Sequence, residues 1–124
     1  MRIAVLDDNQ CIGEMLQHYL ELEGHTVVVY CSPSKFLAHI SEPTTASTPL
    51  DLMIVDLFLS EGISGEEVIH QVRKSFPDLP GILISAGSTW EIEAARRALP
   101  TVRVLQKPFS MASLLALIQE LKHE

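Results

Sequence analysis

The sequence predicts an α/β fold, a doubly wound parallel sheet of five strands with helices on both faces. Five short runs, Ile3 to Leu6, Thr26 to Tyr30, Leu52 to Val55, Ile82 to Ile84 and Val102 to Leu105, are near-continuously apolar. That is the pattern of parallel strands covered on both sides. Amphipathic runs with cap and stop residues follow each of them, so strand and helix alternate five times. Such alternation implies right-handed crossovers within one sheet.

The first helix is read from Ile12, Met15, Leu16, Tyr19 and Leu20 at helical spacing, with Asp8 or Asn9 as its cap and its end before Gly24. Ser32-Pro33 opens the second, a capping residue followed by proline at the first helical position, and Phe36, Leu37 and Ile40 give it an apolar face. Ser64 caps the third, whose face is Val68, Ile69, Val72 and Phe76 and which Pro77 stops. Ser88 and Ser110 are the expected caps of the last two. The segment Ser41 to Pro49, rich in Pro, Thr and Ser, reads as a loop.

At 124 residues the chain is expected to be one domain, 1–124, large enough to bury its own core. Hydrophobic residues make up 47% and charged residues 20%, which excludes a disordered tail. A formal charge of −7, with nine basic residues that form no cluster, argues against direct nucleic-acid binding. No apolar run approaches the roughly 18 residues of a membrane span, and no signal-peptide pattern precedes the first strand, so no membrane association and a cytoplasmic location are expected. Cys11 and Cys31 are expected to be free thiols. The five histidines show no metal-ligand spacing.

Ligands of doubly wound sheets bind beyond the carboxyl ends of the strands, where strand order reverses. The residues that end the strands are Asp7 and Asp8, Cys31, Asp56, Ser85 and Lys107. Asp7, Asp8 and Asp56 offer hard oxygen ligands suited to Mg²⁺. A carboxylate also serves as a nucleophile toward phosphorus, giving an acyl phosphate. Lys107 and Ser85 are then available to hold the remaining phosphoryl oxygens. Taken singly, each residue has an ordinary reading: the acidic pair as a helix start, Ser85 as a loop serine, Lys107-Pro108 as a turn. An acidic residue directly after four apolar strand positions is harder to dismiss, because Asp56 must leave the core or find a partner. Joint placement on one edge favours the functional reading. Trp90, near the start of the fourth helix, reads equally as a partner contact or as a packed aromatic.

In this order the motifs resemble those of the response-regulator receiver family: Asp7-Asp8 after the first strand, Asp56 closing Leu52-Met53-Ile54-Val55, Ser85-Ala86 after the fourth strand, and Lys107-Pro108-Phe109 after the fifth. The resemblance covers essentially the whole chain. It implies a flavodoxin-like (βα)5 fold of strand order 2-1-3-4-5, like the chemotaxis regulators, in a two-component system. It implies Asp56 as phosphoacceptor, with Mg²⁺ held directly by Asp8, Asp56 and the backbone carbonyl of Phe58, and by Asp7 mainly through water. Ser85 would be the switch hydroxyl, and Lys107 would pair with the acceptor and then the phosphoryl group. The implied partners are a sensor histidine kinase and a downstream output domain or protein, with a homodimer through the last two helices and strands as a further possibility. Such a domain catalyses only its own phosphorylation and dephosphorylation.

The chain departs from the family pattern at four places. Ser60 stands where proline is usual, Gly65 arrives one position late, Phe58 occupies a position commonly smaller or polar, and Val104 replaces the family's switch aromatic. A phosphohydrolase resembling the haloacid-dehalogenase-like enzymes is the rival from another class, but its Asp-x-Asp nucleophile motif would need Asp where Phe58 stands. A dinucleotide-binding domain is disfavoured because the first turn has no Gly-x-Gly-x-x-Gly run. A pseudo-receiver that binds partners without phosphorylation is opposed by the full Asp, Ser and Lys set. From the sequence, the chain is either a stand-alone receiver or the N-terminal part of a longer regulator.

Overall fold

The computed structural model describes residues 1–40, 50–59 and 62–122. The expected loop 41–49, Ser60 and His123 lie outside them. The strands are β1 (Arg2–Leu6), β2 (Thr26–Tyr30), β3 (Leu52–Asp56), β4 (Gly81–Ser85) and β5 (Arg103–Gln106). The helices are α1 (Gln10–Leu22), α2 (Pro33–Ile40), α3 (Gly65–Ser75), α4 (Thr89–Ala98) and α5 (Met111–Lys122). All strand pairs are parallel, in the order β2-β1-β3-β4-β5. The order reverses between β1 and β3, as expected of a doubly wound sheet.

Two cores flank the sheet because side chains alternate across each strand. Ala4, Leu6, Met53, Val55 and Leu83 face Phe36 of α2, Val68, Ile69 and Val72 of α3 and Ala95 of α4. Ile3, Val5, Leu52, Ile54, Ile82 and Ile84 face Leu16 and Leu20 of α1 and Leu114 and Ile118 of α5. Between their ends, the three central strands are therefore apolar on both faces. Coverage of both faces fails at the edges: Thr26 and Val28 of β2 and Arg103 of β5 are exposed, since an edge strand has a neighbour on one side only.

The caps settle one open choice. The side chain of Asn9, not Asp8, accepts from the backbone N–H groups of Cys11 and Ile12, so the Asp8 carboxylate is not consumed by α1. Ser64 caps α3, Ser88 caps α4 in a reciprocal box with Glu91, and Ser110 accepts from Ser113 N at the start of α5. The buried face of α1 is narrower than its sequence pattern. Leu16 and Leu20 are buried, whereas Met15 and Tyr19 are exposed. Gly13 lets the helix close on β2, for a Cβ there would lie 2.6 Å from Val29 Cγ1.

Candidate phosphoryl and metal site

Strand register assembles the site. Leu6 pairs with Val55, so Asp7 and Asp56 come one residue later on adjacent strands at the same level. Asp56 pairs with Ile84 and Ser85 with Gln106, which brings Ser85 and Lys107 to the same edge. The switch point thus gathers five of the residues the sequence singled out.

Asp7 and Asp56 are buried, and the third carboxylate, Asp8, is exposed. One oxygen from each of the three lies within 4.8 Å of the others. Lys107 Nζ donates to Asp7 Oδ2 and to Asp56 Oδ2, both at 3.1 Å. The remaining oxygens of the buried pair accept from backbone: Asp7 Oδ1 from Asn9 N at 2.8 Å, Asp56 Oδ1 from Phe58 N at 3.2 Å. Each side chain is thereby fixed in direction while Asp8 stays open to solvent.

The ammonium does not balance the cluster. Burial raises the Asp56 carboxyl above the ordinary aspartate value, the negative charge of Asp7 pushes the same way, and the hydrogen bond and charge of Lys107 only partly oppose them. Burial acts to lower the Lys107 ammonium, but its hydrogen bonds to Asp7 and Asp56 outweigh that and raise it. Three clustered carboxylates facing one ammonium are a hard-oxygen donor set with unmatched negative charge, which fits a divalent cation such as Mg²⁺. Asp7, Asp8 and Asp56 are the residues at hand to hold it.

Ser85 is fully buried, and its hydroxyl accepts from Gly87 N at 2.9 Å. Its carbonyl accepts from Lys107 N, so the β4–α4 and β5–α5 loops are tied together. The Lys107–Pro108 peptide is cis. Phe58 forms an isolated antiparallel bridge with Ser64 and stands half out of the surface. Gly65 falls at the first position of α3, directly against the backbone of Asp56. Two contributors are not singled out by motif, Asn9, which orients Asp7, and Gly87, which seats the Ser85 hydroxyl; the pairing of Lys107 with Asp7 is likewise not read from the motifs. The Ser-Ala-Gly-Ser run from Ser85 is the one sequence signal for Gly87.

Trp90 is 77% exposed and so is not a packed aromatic. Cys11 and Cys31 are free. On α4, Glu91 belongs to the helix cap and Arg96 pairs with Glu93 on its own helix at 3.0 Å. Among the described residues, no helix is long and apolar enough to cross a membrane.

A doubly wound domain with an Asp, Asp, Asp, Ser and Lys edge defines a class of signalling module, and comparison with known proteins agrees. The response regulator receiver domain family matches residues 3–119, and the chain belongs to that family. The response regulator SaeR of Staphylococcus aureus is 24% identical over 119 residues, which is 96% of this chain and 49% of that protein. The chain therefore spans about half the length of the curated relatives it matches. Among solved structures, a CheY-like receiver domain protein from Methanospirillum hungatei is 24% identical with a TM-score of 0.84, over 98% of this chain and 94% of that one. The response regulator TrrA of Thermotoga maritima, in complex with Mg²⁺ and BeF, is 28% identical with a TM-score of 0.77, over 97% of each chain.

Proposed function

We propose that this receiver domain takes a phosphoryl group onto Asp56, with Mg²⁺, from a phosphohistidine of a sensor kinase, and passes the change to an output domain or protein. The observation that carries this reading is Lys107 bridging Asp7 and Asp56 beside the exposed carboxylate of Asp8. An Asp56 oxygen attacks phosphorus as the bond from phosphorus to the donor nitrogen breaks; the acyl phosphate stays on Asp56 and the imidazole leaves with its electron pair. When bound, Mg²⁺ supplies charge neutralisation on the phosphoryl oxygens.

The chain's own residues do the positioning. Phe58 N holds Asp56 Oδ1, leaving the other oxygen, now on Lys107, to act as the nucleophile. Lys107 keeps its contact with Asp7 and turns its second hydrogen bond to the incoming phosphoryl group. The Ser85 hydroxyl, whose oxygen already accepts from Gly87 N, has its proton free to donate to another phosphoryl oxygen. Asp8 and Asp56 would hold the metal directly with the Phe58 carbonyl, and Asp7 through water. The reaction modifies the domain itself and turns over no separate substrate.

Incubation with acetyl phosphate and Mg²⁺, read by intact mass, tests the reading. One phosphoryl group per chain is expected, removable by hydroxylamine as an acyl phosphate is. An unchanged mass would leave a phosphorylation-independent interaction module, and turnover of p-nitrophenyl phosphate would move the protein to the phosphohydrolases.

A further inference from the structure

The half-exposed ring of Phe58, two residues after Asp56, fills the space where a side chain on Gly87, two residues after Ser85, would begin. A Cβ on Gly87 would stand 2.8 Å from Phe58 Cε2, 3.1 Å from Cζ and 3.0 Å from Ser85 Oγ. The acceptor loop and the Ser85 loop therefore meet through an aromatic ring and a residue that has no side chain to keep it away. Gly87 is held to the same Ser85 oxygen by its own N–H, at 2.9 Å. One residue later begins the capped first turn of α4, with Trp90 exposed on it.

We propose that the ring of Phe58, seated on Gly87, carries the state of the phosphoryl site to the surface at the start of α4. This rests on the reading of Asp56 as phosphoacceptor. A phosphoryl group on Asp56 draws the Ser85 hydroxyl toward it, and Gly87 follows because it is hydrogen-bonded to that hydroxyl. The ring stands in the way of that movement, so it swings outward as Gly87 closes. Close-packed contacts of this kind have discrete arrangements and do not deform smoothly. Val104, on β5, has no ring to move between two such positions. The surface that changes is the aromatic pair Phe58 and Trp90 with the turn between Gly87 and Trp90, and Phe58 acts there as a positioning residue for the Ser85 loop.

The test is amide and aromatic NMR, with Trp90 emission as a second readout, before and after saturation with Mg²⁺ and beryllofluoride, which stands in for the phosphoryl group. In the wild type, the Phe58 ring and the amides of Gly87, Ser88 and Trp90 are expected to shift together. In Phe58→Ala, compared at saturation so that altered affinity does not enter, the shifts of Ser88 and Trp90 should fall by at least half, and Phe58→Tyr should restore them. Gly87→Ala should displace the ring before any ligand is added. Undiminished shifts in Phe58→Ala, an unmoved ring in Gly87→Ala, or wild-type shifts centred on Val104 would each overturn the proposal while leaving Asp56 as acceptor. A wild type that does not respond at all to beryllofluoride and Mg²⁺ would remove both readings together.

Discussion

Gly65 sits so close to Asp56 that a Cβ on it would stand 2.1 Å from the Asp56 carbonyl oxygen and 3.0 Å from Leu57 Cα. The atoms in the way are backbone, so no side-chain rotation relieves the contact. The glycine lets α3 begin directly against the end of β3, and Gly65 N donates to Leu57 O at 2.9 Å. Gly65→Ala should therefore push α3 and the acceptor strand apart, at about 1–3 kcal/mol, the usual cost of overpacking. Urea unfolding would measure it. Acetyl-phosphate labelling of the same variant should fall, because Asp56 moves with its backbone.

Lys107 holds two buried carboxylates at once. Lys107→Ala leaves both without their cation, so it should destabilise the metal-free domain by about 3 kcal/mol, as breaking a buried ion pair does. Mg²⁺ supplies the missing charge, and its stabilising effect should be larger in this variant than in the wild type. Melts in EDTA and in excess Mg²⁺ measure both. An equal Mg²⁺ effect in the two proteins would mean that the metal and the ammonium do not act on the same carboxylates.

The raised carboxyl of Asp56 makes the folded state hold its proton more tightly than the unfolded chain does. The stability linked to that proton is therefore present below the ordinary aspartate value and is lost as pH rises through the raised folded value. At neutral pH the ionised carboxylate is a net cost, so Asp56→Asn should melt higher than the wild type by a few degrees, the shift that about 1 kcal/mol gives in a domain of this size. The difference should shrink toward zero as pH falls below the ordinary aspartate value. The same gain is not expected of Asp8→Asn, because the Asp8 carboxylate is exposed. A pH series of melts on the three proteins decides this. A wild type more stable than Asp56→Asn at pH 7 would show that Lys107 overcompensates the burial.

The ammonium of Lys107 titrates in the opposite window. Its folded value is raised by its hydrogen bonds to Asp7 and Asp56, so its ion pairs stabilise the fold below the ordinary lysine value, as long as the carboxylates are ionised, and are lost as pH rises through the folded one. Above the range where the carboxylates protonate, wild type and Lys107→Ala should therefore converge in stability only at strongly alkaline pH. Convergence near neutrality would contradict the bridge.

Much of the site was legible because strand ends in a parallel sheet are set by where apolar runs stop. Asp56 and Ser85 each terminate such a run, and register then carries them to one edge. Helix caps were legible for the same local reason, apart from the choice between Asp8 and Asn9, which depends on where Asp7 points. What the sequence did not reveal is long-range. Lys107 lies 100 residues from Asp7, and its contact there depends on how β5 and its loop are placed across the sheet. The contact of Phe58 with Gly87 joins loops from different strands, and glycine advertises no partner. The outward turn of Met15 and Tyr19 likewise follows from the close approach of Gly13 to β2, which helical periodicity does not encode.

Asp56 is the residue proposed to bear the phosphoryl group. Reduction of the acetyl-phosphate-treated protein with borohydride converts an aspartyl phosphate to homoserine, and peptide mass spectrometry then locates it. Homoserine is expected at position 56 alone, formed with Mg²⁺ and not in EDTA. Homoserine at position 7 or 8, or a phosphorylated protein with unaltered aspartate at position 56, would contradict it.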